Sequence, residues 1–254
     1  MPTPAEHFSA TAEGYAATMA PSLRPMAAEV VRRAFLAAGE RVVDIGTGTG
    51  TAAALARGEG RTVVGVDAAP GMLEIARAEV PDVRFVEADF GALPFDDGAF
   101  DAVLSVHALL FADDQVAVLR EWRRVTRQSG RLSLSVPGPD DATPSALYAA
   151  VYERHGLASR SGYPTTGSLA AIAEEAGWSE VRVEADPSTA IVLPDEAAFR
   201  TWYRIGPRGP ATAGFTPEQH RALADEMDAV TPRTAEGGYR IPFGALYLVG
   251  RNPG

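Results

Sequence analysis

The chain has 254 residues, enough to bury the core of an α/β domain, and it has no cysteine, which excludes disulfide bonds, thiolate metal ligands and thiol nucleophiles. Its 33 acidic and 23 basic residues give a net charge of −10, which disfavours nucleic acid and anionic membranes as partners. With no basic leader and no uncharged apolar stretch of membrane-spanning length, the sequence predicts a single-domain cytoplasmic protein.

The first half of the sequence alternates predicted helices and strands. Apolar residues recur at helical spacing over Met26–Ala38, which predicts a helix that begins after Pro25 and ends at Gly39. Short apolar runs bounded by Gly, Pro or Asp predict five buried strands: Arg41–Ile45, Thr62–Val66, Val83–Ala88, Asp101–Val106 and Arg131–Val136. Further helices are predicted over Met72–Ala78 and Asp113–Arg127. This alternation indicates an α/β, doubly wound, mostly parallel sheet.

The second half is less regular. The predicted elements are helices over Ser145–His155, Ser168–Ala176, Pro194–Ile205 and Thr216–Val230, a sixth strand within Val181–Leu193 and a seventh over Phe243–Val249. The roughly fifty residues between these two strands are too many for a simple connection. We expect them to cover the functional site.

The sharpest local feature is a glycine-rich turn that follows the first buried strand. Gly46, Gly48 and Gly50 have the spacing G-x-G-x-G, and Thr51 stands where a dinucleotide fingerprint requires glycine. The turn predicts close backbone approach of a nucleotide-like ligand. Asp44 would repel a pyrophosphate, so the ligand is expected to carry an ammonium group. A cap on the following helix is an equal alternative for Asp44.

Acidic side chains also end the next two strands. Asp67 lies 21 residues after Gly46, where a carboxylate can accept both ribose hydroxyls, although helix capping is the alternative. Asp89 and Phe90 follow the third strand, and Asp89 is placed to accept an adenine amine. These positions predict a nucleoside site at one edge of the sheet.

Four motifs in register carry a family resemblance. They are Val43–Gly50, Gly65–Asp67 with Met72-Leu73, Ala88–Phe90 with Leu93–Asp101, and Gly130–Leu132. The sequence resembles the class I S-adenosylmethionine-dependent methyltransferases, in the small-molecule branch of the ubiquinone and menaquinone biosynthesis enzymes. The resemblance implies a seven-stranded Rossmann-like sheet with an antiparallel last strand and helical lid insertions. The implied segments of the single domain are a lid helix (1–24), a cofactor-binding core (25–136), lid elaborations (137–167 and 194–240) and a final strand (241–254).

The resemblance also implies roles for individual residues toward S-adenosylmethionine. Gly46, Thr47 and Gly48 would line the methionine moiety, Asp67 would hold the ribose, Ala68 and Met72 would flank the adenine, Asp89 and Phe90 would meet its edge, and the Ser105 carbonyl would accept the ammonium. Tyr15, on the lid, would cover the cofactor, with core packing as the alternative.

One histidine is a candidate catalytic residue. His107 lies just beyond the fourth strand, where doubly wound sheets place substrate-facing groups, and a neutral imidazole could serve as a general base. Packing beside the core is an equal alternative. The other histidines lack metal-ligand spacing, and Asp113-Asp114 fits a helix cap, so no metal is expected.

The resulting prediction is methyl transfer from S-adenosylmethionine to an O, N or C nucleophile of a small molecule, driven by alignment and desolvation. The aromatic residues Phe199, Trp202, Phe215 and Tyr239 favour an apolar or aromatic acceptor. One alternative keeps the cofactor but catalyses a cyclisation or rearrangement. The other, an NAD-dependent dehydrogenase, is disfavoured by Thr51. The sequence specifies neither the accepting atom nor an oligomeric state.

Overall fold

The protein is described by a computed structural model, which covers residues 3–158, 164–205, 209–212 and 214–254. The strands within these residues are β1 (Arg41–Ile45), β2 (Thr62–Asp67), β3 (Arg84–Glu87), β4 (Phe100–Val106), β5 (Thr126–Pro137), β6 (Ser179–Asp186), β7 (Ala190–Leu193), β8 (Tyr239–Pro242) and β9 (Ala245–Arg251). Seven of them form one sheet in the order β3-β2-β1-β4-β5-β9-β6. The other two, β7 and β8, pair separately.

The large sheet is parallel except at β9, which inserts between β5 and β6 and runs antiparallel to both. Its central strands are nearly continuous apolar runs because both faces are covered, as is usual for parallel sheets. The predicted doubly wound sheet with an antiparallel last strand is therefore confirmed. Because β1, β2 and β4 are parallel, their carboxyl ends meet at one edge of the sheet.

Helices cover the sheet and the site. They are α1 (Pro4–Ala10), α2 (Ala12–Arg33), α3 (Thr51–Ala56), α4 (Pro70–Glu79), α5 (Gln115–Val125), α6 (Pro144–Leu147), α7 (Ala149–Arg154), α8 (Thr166–Glu175), α9 (Glu196–Ile205) and α10 (Pro217–Val230). The predicted cap of α5 is present, because Asp114 accepts from the Ala117 N–H, and Thr216 forms a capping box with Gln219 at the start of α10. None of the described helices combines the length and apolar character that a membrane-spanning segment requires.

The prediction for the first covering helix is wrong at its start, and the helix ends at Arg33, before the predicted end at Gly39. Instead of beginning after Pro25, α2 begins at Ala12 and continues through Pro21 and Pro25, so the predicted boundary between residues 24 and 25 falls inside it. Each proline removes one helical hydrogen bond, but the helix buries a stripe formed by Met19, Leu23, Met26 and Val30. Packing of this stripe outweighs the local cost of the prolines.

The second half also departs from expectation. The segment Val181–Leu193 holds parts of two strands in different sheets, because β6 ends at Asp186 and β7 pairs with β8, which the sequence analysis did not predict. The helix predicted over Ser145–His155 is broken into α6 and α7. The small sheet, α7, α9, α10 and part of α2 share a second apolar core that lies apart from the faces of the large sheet.

Candidate active site

A cavity of about 300 Å³ lies at the carboxyl edge of the large sheet. This volume is within the range of small-molecule sites. Part of its wall is the glycine-rich turn with the residues that follow β2 and β3, and part is an apolar surface contributed by α2, α9 and the segment before β9. The cavity therefore has a polar end and an apolar end.

The turn after β1 forms the floor of the polar end. Gly46 has φ +70° and Gly48 has φ +54°, in the left-handed region that favours glycine. The backbone N–H groups of Gly46 and Thr47 donate to the Val66 carbonyl at 2.8 and 2.9 Å, which fixes the turn on β2. A Cβ atom on Gly46 would lie 2.2 Å from the Ala108 Cβ, so only glycine fits this close approach.

Asp44 lies behind this turn. It is 1% exposed, and its Oδ2 accepts from the Thr47 hydroxyl at 2.6 Å and from the Ala53 N–H at 3.0 Å. Burial raises the pKa of its carboxyl to about 6, although both hydrogen bonds favour the ionised form. Because its partners belong to the turn and to the first residues of α3, Asp44 ties the two together.

Asp67 reaches the cavity at the end of β2. Its Oδ2 accepts from the Gly48 N–H at 2.8 Å, and its Oδ1 accepts from the Ala69 N–H at 2.9 Å. Burial raises the pKa of the carboxyl, while the backbone hydrogen bonds act in the opposite direction. Each carboxylate oxygen has two lone-pair sites, so acceptor capacity remains for a ligand.

The wall beyond Asp67 consists of Ala68, Met72, Asp89 and Phe90. Met72 is buried in the first turn of α4, and Asp89 is exposed and accepts from the Gly91 N–H at 2.7 Å. The Phe90 carbonyl accepts from the indole N–H of the buried Trp122 at 2.9 Å, which fixes this loop on α5. An apolar slot with a carboxylate at its edge suits a heteroaromatic ring.

The first helix closes the cavity from above. Phe8 makes edge-to-face contacts with Tyr15 and Phe111, at centroid distances of 6.0 and 5.3 Å. The Ser9 hydroxyl accepts from the Gly71 N–H at 2.7 Å, and His7 Nε2 donates to the Ile205 carbonyl at 3.0 Å. Helix α1 is thereby attached both to α4, at the polar end, and to α9, at the apolar end.

His107 lies at the apolar end. It is 7% exposed and has a left-handed backbone, with φ +56°. Its Nε2 lies 3.2 Å from the Met26 sulfur, and its ring meets Phe243 edge to face at 5.2 Å. Burial lowers the pKa of the imidazole to about 3, which keeps the ring neutral at physiological pH.

The remaining apolar wall includes residues that the sequence analysis did not select: Met19, Leu23, Pro137, Ile205 and Phe243. The four aromatic residues that favour an apolar or aromatic acceptor are not among the described residues that line the cavity. Phe199 stacks on Tyr239 at a centroid distance of 4.4 Å, and Trp202 is buried in the same core, with Phe215 packed against it. These rings pack together in the second apolar core, which also contains Met19, Leu23, Ile205 and Phe243 of the cavity wall, so they support that wall without lining it.

The structure brings most of the predicted site residues together. Those that line the cavity are Tyr15, Gly46, Gly48, Asp67, Ala68, Met72, Asp89, Phe90 and His107. Asp44, Thr47 and Ser105 lie behind the wall, and the Ser105 hydroxyl donates to the Ile45 carbonyl at 2.8 Å. Among the described residues, no three histidine or acidic side chains are grouped as metal ligands.

Comparison with known proteins gives the family. A methyltransferase-domain profile matches residues 43–134. A demethylmenaquinone methyltransferase of Thermus thermophilus is 41% identical over 124 residues, which cover 46% of this chain and 56% of that protein. The enzyme of the same name from Mycolicibacterium vanbaalenii is 34% identical over 169 residues, which cover 58% of this chain and 72% of that protein.

A solved structure extends the similarity to most of the chain. The phosphoethanolamine N-methyltransferase 2 of Haemonchus contortus, in complex with phosphomonomethylethanolamine and S-adenosylhomocysteine, superposes with a TM-score of 0.61 at 19% identity. The match covers 91% of this chain and 53% of that one. At this identity the likeness shows the fold. The chain spans only about half of the length of the Thermus relative. From the motifs, the fold and the relatives together, the chain belongs to the class I S-adenosylmethionine-dependent methyltransferases, of the quinone-biosynthesis type.

Proposed function

We propose that this protein binds S-adenosylmethionine at the polar end of the cavity and transfers its methyl group to an uncharged small molecule held at the apolar end. The observation that supports this most directly is that one cavity joins the glycine turn and Asp67 to a chamber walled by Met19, Leu23 and Phe243. A donor and an acceptor bound there would be adjacent and separated from bulk water.

The residues at the polar end fit the cofactor. Gly46 and Gly48 both line the cavity, so the methionine moiety would lie directly against the backbone of the turn. The free lone pairs of Asp67 suit the two ribose hydroxyls. Ala68 and Met72 would flank the adenine, and Asp89 and Phe90 would meet its edge. Those four residues line the cavity, which is consistent with these roles.

The predicted roles of three further residues remain proposals. We assign Asp44 to support of the turn, through Thr47 and Ala53, and the Ser105 carbonyl to the ammonium group. Tyr15 would close over the cofactor, since it lines the cavity beneath Phe8. In this assignment α1 and the first turns of α2 act as the lid.

Methyl transfer requires little acid–base catalysis from the protein. The cofactor, when bound, supplies a methyl group already activated on a sulfonium. The chain's own contribution is to align donor and acceptor and to exclude water. The lid contacts of His7 and Ser9 serve this exclusion, because they hold α1 over both ends of the cavity.

The wall of the cavity favours an uncharged acceptor. Among the described residues, the only charged side chains that line it are Asp67 and Asp89, both at the polar end, and no lysine or arginine is present. A phosphate or carboxylate on the acceptor would lack a cationic partner. An apolar or aromatic compound, comparable to the demethylmenaquinone named for the relatives, fits better.

Two experiments test the proposal. Calorimetric titration with S-adenosylmethionine, S-adenosylhomocysteine and NAD should show binding of the two sulfur compounds; binding of NAD alone would refute the cofactor assignment. Incubation with methyl-labelled S-adenosylmethionine and a lipid-soluble cell extract should then label an apolar product. Cofactor binding with label appearing only in a polar, anionic product would refute the acceptor assignment.

A further inference from the structure

His107 places an imidazole among apolar side chains that line the cavity, next to Phe243. Its positive φ is uncommon for a residue other than glycine, and such conformations concentrate at functional sites. Its backbone N–H donates to the Ser135 carbonyl at 2.9 Å, and Phe243 packs against its ring. The imidazole is therefore held in one place beside the position of the acceptor.

The contact with Met26 determines which ring nitrogen carries the hydrogen. A thioether sulfur has no hydrogen to donate and acts only as a weak acceptor. At 3.2 Å from this sulfur, Nε2 must carry the shared hydrogen, because two lone pairs at that distance repel each other. In a neutral imidazole, Nδ1 then carries the lone pair.

Nδ1 has no hydrogen-bond partner among the described residues, although it is buried. Leaving a buried acceptor unsatisfied carries a free-energy cost. A ligand that brings a donor to this atom recovers that cost. The free energy is therefore available for selecting a ligand.

We infer that the Met26 sulfur holds His107 as the Nε2–H tautomer, so that Nδ1 accepts a hydrogen bond from a hydroxyl or N–H group of the methyl acceptor. The identity of this ligand as a methyl acceptor rests on the proposed function. Met26 is then a positioning residue that acts through His107. The site favours methyl acceptors that carry a donor hydrogen on the nucleophilic atom or next to it. Ethers and tertiary amines of the same shape, which lack this hydrogen, are disfavoured.

The tautomer is measurable in the protein without cofactor or acceptor. Long-range proton–nitrogen NMR of protein labelled with ¹⁵N-histidine distinguishes protonated from unprotonated ring nitrogens, and the His107→Gln variant assigns the His107 signals among the four histidines. We expect Nε2 to be protonated and Nδ1 unprotonated at pH 7. A protonated Nδ1 with an unprotonated Nε2 would overturn the inference.

Substitution of Met26 tests whether its sulfur fixes the tautomer of His107. Met26→Leu keeps most of the apolar volume but removes the acceptor, and it should convert the single tautomer into a mixture. The matched variant Met19→Leu removes a sulfur from the cavity wall and leaves the Nε2 contact in place, so the tautomer should not change. An unchanged single tautomer in Met26→Leu would overturn the role of Met26. If that variant does not fold, the wild-type spectrum still decides the tautomer.

Phenol and anisole test the ligand contact, because only phenol carries a donor hydrogen. Phenol should shift the Nδ1 resonance at least several-fold more than anisole does. Equal shifts would overturn the donor requirement while leaving the tautomer result intact. Since none of these measurements uses S-adenosylmethionine, their failure is distinguishable from failure of the proposed function, which the calorimetric titration tests separately.

Discussion

Substituting Gly46 by alanine should disrupt the turn through one identifiable contact. The added methyl carbon would lie 2.2 Å from the Ala108 Cβ, whereas carbon atoms pack at roughly 3.5–4.0 Å. The loop cannot easily yield, because the Gly46 N–H is bonded to the Val66 carbonyl. Left-handed backbone costs about 1–2 kcal/mol for alanine, and overpacking adds about 1–3 kcal/mol. We expect Gly46→Ala to lower the free energy of unfolding by about 2–5 kcal/mol.

The neighbouring glycine provides the control. Gly48 has a similar backbone, but a Cβ there would have the Tyr15 ring as its nearest neighbour at 4.0 Å. Gly48→Ala should therefore lower the free energy of unfolding only by the cost of the left-handed backbone, about 1–2 kcal/mol. Removing the opposing methyl group by Ala108→Gly should restore part of the loss in Gly46→Ala, with a coupling of about 1–3 kcal/mol.

Urea unfolding followed by tryptophan fluorescence measures all four variants and the wild type. Equal losses for Gly46→Ala and Gly48→Ala would refute the role of the Ala108 contact. So would strict additivity of Gly46→Ala and Ala108→Gly, because independent sites add within about 0.5 kcal/mol.

Three further results are expected. In Asp67→Asn the amide nitrogen must face the backbone N–H of Gly48 or Ala69, and two donors repel each other. Calorimetry should therefore show an affinity for S-adenosylhomocysteine about 10- to 100-fold lower than that of the wild type. Unchanged affinity would contradict the ribose assignment. The folded pKa of His107 lies near 3, below its unfolded value, so the stability that its neutral ring contributes is lost as pH falls. Between pH 7.5 and pH 5, urea unfolding should show the free energy of unfolding of the wild type falling by about 2 kcal/mol relative to that of His107→Phe. Parallel pH profiles of the two proteins would contradict this. The folded pKa of Asp44 is instead raised to about 6, so the stability it contributes is lost as pH rises. Between about pH 4 and pH 6, urea unfolding should show the wild type losing stability relative to Asp44→Asn as pH rises. The opposite trend would contradict the assigned burial.

The cofactor half of the molecule was predictable because its signals are local. A buried parallel strand is a short apolar run, and the glycine spacing with Asp67 follows directly in the sequence. The observed β1 has the predicted bounds, and β2 extends the prediction by one residue, to Asp67. These features need no knowledge of distant contacts.

The acceptor half was not predictable to the same degree, because distant packing decides it. Pro21 and Pro25 normally limit a helix, so Met19 and Leu23 were not placed on α2 or in the cavity wall. The contact between Met26 and His107 joins residues 81 positions apart and has no local signal. Aromatic residues such as Trp202 carry the same pattern whether they face a ligand or a second core.

A crystal structure determined with S-adenosylhomocysteine tests the proposed cofactor site most directly. We expect the ribose hydroxyls on Asp67, the adenine between Ala68, Met72 and Phe90, and the sulfur directed toward the apolar end near His107. Density for the ligand outside this cavity, or with its ribose away from Asp67, would contradict it.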